Sequence, residues 1–167
     1  MLDDATTEIV SWLLKQGLVS QQAKVLDFGC GIGRIAEALA PHCHSILGLD
    51  VSPGMISEAR RRTGSLAGLE FELTSGDAVP GGPFDLILFV DSMPYIHQVG
   101  LADAIMAQSR AALQPCGSIG ILNLSYGRSA LADQHDAERW AHLHGLSLAI
   151  YRPFSLWDGT AFIFRRA

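Results

Sequence analysis

Residues 27–33 read Asp-Phe-Gly-Cys-Gly-Ile-Gly. They follow a short apolar run beginning at Lys24 and open onto a helical pattern. Glycines at alternate positions let a backbone turn tightly and let a ligand lie against it with no Cβ in the way. A strand, a glycine-rich turn and a helix in that order make a nucleotide-cradling device. A dinucleotide cradle has the spacing G-x-G-x-x-G, but the place of its third glycine is held here by Arg34. The glycines are instead Gly29, Gly31 and Gly33, and an acid, Asp27, stands two residues before the first.

Other residues able to do chemistry cluster after apolar runs. Asp50 closes "SILGLD", and Asp77 stands in "SGDAV". Asp91, Tyr95 and His97 follow "FDLILFV", and Asn123, Tyr126 and Arg128 lie in "NLSYGRS". His97 is the best general-base candidate, because a neutral imidazole is available near neutral pH. Tyr95 either lines a pocket or packs beneath the loop. His42-Cys43-His44 superficially invites a metal, but it falls at the end of the sheet opposite the ligand side, so a loop is expected and no metal. His142 and His144 end a helix, where cations suit the dipole. His135 and Asp136 could reach a pocket rim.

The elements that must position these residues alternate between strand and helix, which points to an α/β fold with a parallel sheet. Helices are expected over 4–16, 32–40 (stopped by Pro41), 53–62, about 100–113 and 129–144. Ser52-Pro53 reads as an N-cap followed by proline in the first helical position. Strands are expected over 24–28, 45–50, 69–74, 84–90 and 117–125. The fourth is the most apolar and belongs in the centre, buried on both faces. "QPCG" reads as a turn before the fifth strand. Two more strand-like runs flank Trp157-Asp158-Gly159, and Asp-Gly is a hairpin signal. In an open α/β sheet a ligand sits outside the carboxyl ends of the strands, so residues just after strands four and five face the substrate.

With those elements in place, "VLDFGCGIGR" resembles motif I of the class I (Rossmann-like) S-adenosylmethionine-dependent methyltransferases, in its D-x-G-x-G-x-G form. "LGLDVSPGMISEAR", "GDAV", "FDLILFVDSMPYI" and "ALQPCGSIGI" resemble the family's following elements, in its order, across residues 24–123. The resemblance implies a three-layer α/β sandwich with a doubly wound, mostly parallel seven-stranded sheet. Its order would be 3-2-1-4-5-7-6, with a C-terminal antiparallel hairpin. It also implies S-adenosylmethionine as cofactor and S-adenosylhomocysteine as product.

The same resemblance implies a cofactor-binding set. Asp27, Gly29, Gly31 and Gly33 would serve the amino-acid end, with Cys30 a small spacer and not a catalytic thiol. Asp50 would accept from the ribose hydroxyls. Val51 and Met55 would sandwich the adenine, whose edge would meet Asp77 and the amide of Ala78. Asp91 would complete the set at the acceptor side. Tyr95 and His97 are the catalytic candidates. Ser92-Met93-Pro94-Tyr95 partly matches the [D/N/S]-P-P-[Y/F] motif of methyltransferases acting on amino nitrogens, but Met93 replaces the first proline.

Composition sets the bounds. The 167 residues fit one domain spanning 1–167. The net charge is −5 and the densest cationic run is Arg60-Arg61-Arg62, which reads as a solvated helix face. That balance disfavours nucleic acid as a partner. The three cysteines match no zinc or disulfide spacing, as expected of a reduced cytoplasmic protein. No apolar run approaches the roughly 20 residues of a membrane span. Motif I begins so early that a bare catalytic core is expected, acting on a small molecule enclosed by the first helix and residues 124–140. A homodimer or partner subunit completing the pocket is the alternative. A silent cofactor-binding subunit, a methyltransferase acting on protein or nucleic-acid nitrogen, and a nicotinamide oxidoreductase are the rival functions.

Overall fold

A computed structural model describes residues 2–156 and 159–166. Its strands are β1 (Lys24–Phe28), β2 (Ser45–Asp50), β3 (Leu69–Leu73), β4 (Phe84–Val90), β5 (Leu113–Leu122), β6 (Leu146–Tyr151) and β7 (Ala161–Arg166). They form one sheet in the order β3-β2-β1-β4-β5-β7-β6. The pairs from β3 to β5 are parallel, and β7 runs antiparallel to both β5 and β6. This is the topology the sequence leads one to expect.

The helices are α1 (Leu2–Lys15), α2 (Arg34–Leu39), α3 (Pro53–Thr63), α4 (Met93–Gln98), α5 (Ala102–Ala112) and α6 (Ala130–His144). They divide between the faces of the sheet. Ile9, Leu13, Ile35, Ile56 and Ala59 of α1–α3 share a core with Val25, Leu86 and Leu88. Met93, Ile105, Ala137 and Trp140 of α4–α6 share the other with Leu26, Ile87 and Phe89. Successive residues of β1 and β4 therefore serve opposite cores, as the two-residue period of a strand requires. Both faces of β4 are covered, which is why it reads as an unbroken apolar run from Leu86 to Val90.

Local chemistry explains the helix ends. The Ser52 side chain accepts from the Met55 amide and caps α3, with Pro53 beside it. Ser129 caps α6 the same way, through the amide of Ala132. The arginine run at the end of α3 is divided between partners. Arg60 donates to the Phe71 carbonyl, Arg61 pairs with Glu58, and Arg62 reaches Glu37 at 2.8 Å.

Four boundaries differ from the sequence expectation. Pro41 does not end the second helix but sits inside a 3-10 turn, Ala40–His42, where its missing amide is harmless. The segment after β4, expected as a loop, forms α4 with proline in its first turn. β5 begins at Leu113, so "QPCG" lies within the strand. The turn signal survives there as a register irregularity opposite Phe84–Leu86 and a left-handed Cys116. Finally, β6 ends at Tyr151 and β7 starts at Ala161, a longer link than a two-residue Asp-Gly turn. Trp157 and Asp158 of that signal lie outside the described residues.

α1 is tied to the end of β6 and the segment after it at two places. Trp12 meets Tyr151 and Phe154 edge-on, with ring centroids 5.3 and 5.2 Å away. The Glu8 carboxylate accepts from the amides of Ser155 and Leu156 at 2.8 and 2.9 Å. Among the described residues no helix is long and apolar enough to cross a membrane.

Candidate active site

The strand order reverses between β1 and β4, and a cleft opens at their carboxyl ends, as the rule for doubly wound sheets requires. It has two chambers, of about 440 and 350 Å³. Gly29, Asp91 and Tyr95 line both and so stand at their junction.

The glycine loop is shaped by close approaches. A Cβ at Gly29 would collide with the side chain of Ser92, whose hydroxyl donates to the Phe28 carbonyl at 2.5 Å. That contact pins the start of α4 to the end of β1. Gly33, at φ 78°, would place a Cβ 2.7 Å from the ring of Phe71. It lines neither chamber, so it serves packing between α2 and β3. Gly31 differs, because a Cβ there would meet nothing within 4 Å. Its open face borders the smaller chamber.

Asp50 organises the loop from the tip of β2. Its Oδ2 accepts from the Gly31 amide at 2.8 Å and its Oδ1 from the Ser52 amide at 2.9 Å. Asp27 lies beneath, 2% exposed, and its Oδ2 is buried with no hydrogen-bond partner. Burial, reinforced by the charge of Asp50, raises its pKa to about 7. A buried, orphaned acceptor beside an open glycine face fits a cationic group such as the ammonium end of an amino acid. Cys30 packs against the place a Cβ would take at Gly48. Burial first, then the charges of Asp27 and Asp50, pushes its thiol far above the ordinary range, so it is an inert spacer.

The larger chamber is more apolar. Phe28, Val51, Ile96, Val99 and Leu101 line it together with Asp50 and residues 74–76. Val51 belongs to this chamber and Met55 to the other, so the two do not flank one slot. Asp77 and Ala78 are exposed and line neither chamber. Asp77 is engaged by the Ser75 hydroxyl, and its carbonyl accepts from Gln108. The backbone turn at Gly76 brings Thr74 and Ser75 to the wall instead. The sequence carries no sign of this, nor of the contribution of Ile96, Val99 and Leu101, because α4 was not legible as a helix.

Asp91 follows β4 at φ 57° and Asn123 follows β5 at φ 68°. Both are left-handed non-glycine residues, a conformation Asp and Asn tolerate best. Asn123 Nδ2 donates to Asp91 Oδ1 at 2.6 Å, and the Tyr126 hydroxyl reaches the same oxygen at 3.3 Å. Burial and then the charge of Asp91 push the Tyr126 phenol up to about 12, so it stays a neutral donor. The rings of Tyr95 and Tyr126 meet edge to face at 5.9 Å. Tyr95 thus lines the cleft, as one sequence reading has it.

His97 lines neither chamber. Its Nε2 stands 3.2 Å from Asp136 Oδ2 on α6, and Arg128 contacts both groups. One ring nitrogen cannot donate to the carboxylate and accept from the guanidinium at once. Either arrangement makes His97 a strut between α4 and α6. Arg34 lines the smaller chamber and donates to the buried Thr6 hydroxyl at 2.8 Å, joining the glycine loop to α1. Among the described residues no group of three or more His, Cys, Asp or Glu is placed to hold a metal ion. Cys43 of the His42-Cys43-His44 run donates to the Leu39 carbonyl, and burial raises its thiol to about 11.

The comparisons agree with this geometry. A family profile described as a methyltransferase domain matches residues 25–117. Nodulation protein S of Rhizobium tropici is 27% identical over 129 residues, covering 77% of this chain and 51% of that protein. Trans-aconitate 2-methyltransferase of Methylobacterium nodulans is 37% identical over 92 residues, 54% of this chain and 34% of that enzyme. The chain thus spans about half, or less, of the length of these relatives. The crystal structure of the N-methyltransferase NodS from Bradyrhizobium japonicum, in complex with S-adenosylhomocysteine, superposes with a TM-score of 0.75. The identity there is 22%, over 98% of this chain and 86% of that one.

Proposed function

Since the chain belongs to the class I S-adenosylmethionine-dependent methyltransferase family, we propose that it moves a methyl group from that cofactor to a small-molecule acceptor by in-line displacement. The observation that carries this reading is the two-chambered cleft, with the orphaned Asp27 carboxyl and the open face of Gly31 bordering its smaller part.

When bound, S-adenosylmethionine supplies a methyl group on a sulfonium, with a neutral thioether as leaving group. The protein's own work is binding, orientation and exclusion of water. Asp27 with the Gly29–Gly31 backbone holds the amino-acid end, and Cys30 keeps the loop's spacing. Asp50 already holds the loop through Gly31, and a carboxylate retains lone pairs for the ribose hydroxyls. Phe28, Val51, Ile96, Val99 and Leu101 offer the apolar surface an adenine needs, and Thr74–Gly76, which line the same chamber, would hold its polar edge where Asp77 and Ala78 do not reach. Gly33 supports the loop from behind through Phe71. Met55 and Tyr95 border the smaller chamber, where the acceptor approaches, and Asp91 joins it to the cofactor side. Displacement at a sulfonium needs no obligatory base, so the removal of His97 from the cleft is compatible with turnover. The name of one relative, trans-aconitate 2-methyltransferase, supports a small acceptor.

Calorimetry with S-adenosylhomocysteine and with NADH tests the cofactor. Binding of NADH alone would refute the reading. Transfer from methyl-labelled S-adenosylmethionine into a fractionated extract tests the acceptor class. Label in precipitated protein or nucleic acid would contradict a small acceptor. Cofactor binding with no label in any fraction would leave a silent binding subunit.

A further inference from the structure

Asp91 stands where the two chambers meet, with an aromatic pair above it. We propose that the acceptor is an amine, its nitrogen presented to the Asp91 carboxylate beside the paired rings of Tyr95 and Tyr126, and this rests on the methyl-transfer reading.

The charges of the cleft come first. Among the described residues lining it, the ionisable acids are Asp27, Asp50 and Asp91, and the one cation is Arg34. Arg34 is turned toward α1 through its hydrogen bond to Thr6. With Asp27 and Asp50 given to the cofactor in that reading, a carboxylate acceptor would meet the Asp91 carboxylate as a like charge, which costs more as water is excluded. A nitrogen carrying N–H groups would find acceptors instead.

The shape of the junction comes second. The left-handed backbone at Asp91 is reinforced by its own amide, which donates to the Leu122 carbonyl at 2.9 Å. Asn123 and Tyr126 both donate to Oδ1, which fixes the plane of the carboxylate. Strained residues held by paired side chains are a mark of functional sites. Tyr95 is 62% exposed and Tyr126 is 47% exposed, large fractions for rings of this size. Their edge-to-face arrangement leaves a ring face available to a nitrogen that gains positive charge as the methyl group is transferred.

The chemistry comes third. The amine binds uncharged, one N–H donated to Asp91 and its lone pair aimed at the sulfonium methyl. The N–C bond forms as the C–S bond breaks, and the breaking pair stays on sulfur as a neutral thioether. One positive charge thereby passes from sulfur to nitrogen, and Asp91 sits where it develops. The surplus proton of the product ammonium leaves to solvent after release. No oxidant, metal or further reactant is required.

The test uses the full chain, methyl-labelled S-adenosylmethionine and the small-molecule fraction of a cell extract. After chromatographic removal of unreacted donor, products are passed over a cation exchanger at acid pH and then treated with mild base. The expected label is retained on the exchanger and survives base, as an N-methyl group does. Asp91→Asn, which keeps a side chain suited to the left-handed backbone, should slow that transfer roughly 100-fold. Its affinity for S-adenosylhomocysteine by calorimetry should hold, which also reports folding. Label released by base as methanol, or base-stable label that flows through the exchanger, overturns the amine assignment and leaves methyl transfer standing. A wild-type rate in Asp91→Asn overturns the role of that carboxylate. No label at all, with S-adenosylhomocysteine bound, overturns both readings together.

Discussion

Asn123 donates its side-chain amide to Asp91 Oδ1 at 2.6 Å, and both residues are left-handed, each just beyond the carboxyl end of a neighbouring strand. Two strained positions thus lock one another across β4 and β5. Asn123→Ala removes the donor and places alanine at φ 68°. Each effect is worth about 1–2 kcal/mol, so a loss of roughly 2–4 kcal/mol is expected by urea melts. Asn123→Gly removes the donor alone and should cost less stability. Both variants should lose transfer activity to a similar degree. If the glycine variant turned over normally, the hydrogen bond would be without consequence for the site.

Asp50 joins the tip of β2 to the glycine loop through Gly31. Asp50→Ala strips acceptors from that amide and from Ser52, and in the proposed reading from the cofactor's ribose as well. Affinity for S-adenosylhomocysteine should fall by roughly 2–3 kcal/mol in calorimetry. Unchanged affinity in a folded variant would contradict the placement of the ribose.

Asp27 gives a pH dependence whose sign follows from its raised pKa. The unfolded carboxyl titrates near the ordinary aspartate value of 3.8 and the folded one at about 7. Between these values the native state holds the extra proton. The stability Asp27 contributes is therefore full below 3.8 and is lost as pH rises through about 7. Asp27→Asn should consequently melt higher than the parent at pH 8, with the gap shrinking toward acid. In the parent, S-adenosylhomocysteine should bind more weakly below pH 7, because its ammonium favours the ionised carboxyl. Calorimetry in buffers of different ionisation enthalpy should show proton release on binding near neutrality, and its absence would count against an ammonium at Asp27.

Gly33 lines neither chamber but faces Phe71 at a distance no Cβ tolerates. Gly33→Ala should destabilise the fold by about 2 kcal/mol or more, from strain at positive φ and overpacking together. Gly33→Ala with Phe71→Leu should recover the packing part. If the double variant is no more stable than the single, the collision with the ring is not the cause.

The sequence by itself determined the sheet and the cradle. Alternating strand and helix patterns, the Asp27–Gly33 spacing and the run at Phe84–Val90 follow from local periodicity and from what a bare backbone permits. Those are short-range properties, so they can be read along the chain. Membership of the cleft by Asp27, Gly29, Cys30, Gly31, Asp50, Val51, Met55, Asp91 and Tyr95 was implied by the resemblance to the family's motifs, which lie at strand ends that converge in this topology. What the tertiary structure alone decided is orientation. Gly33 turns from ligand to core because Phe71, far along the chain, fills its space. Asp77 and Ala78 turn outward because Gly76 bends the chain before them. His97 leaves the cleft because residues 93–98 wind into a helix and Asp136 and Arg128 lie across from it. The Asp91–Asn123 bridge joins residues on different strands whose backbone angles no propensity records. Such contacts depend on which residues the folded sheet brings side by side, and that information exists only in three dimensions.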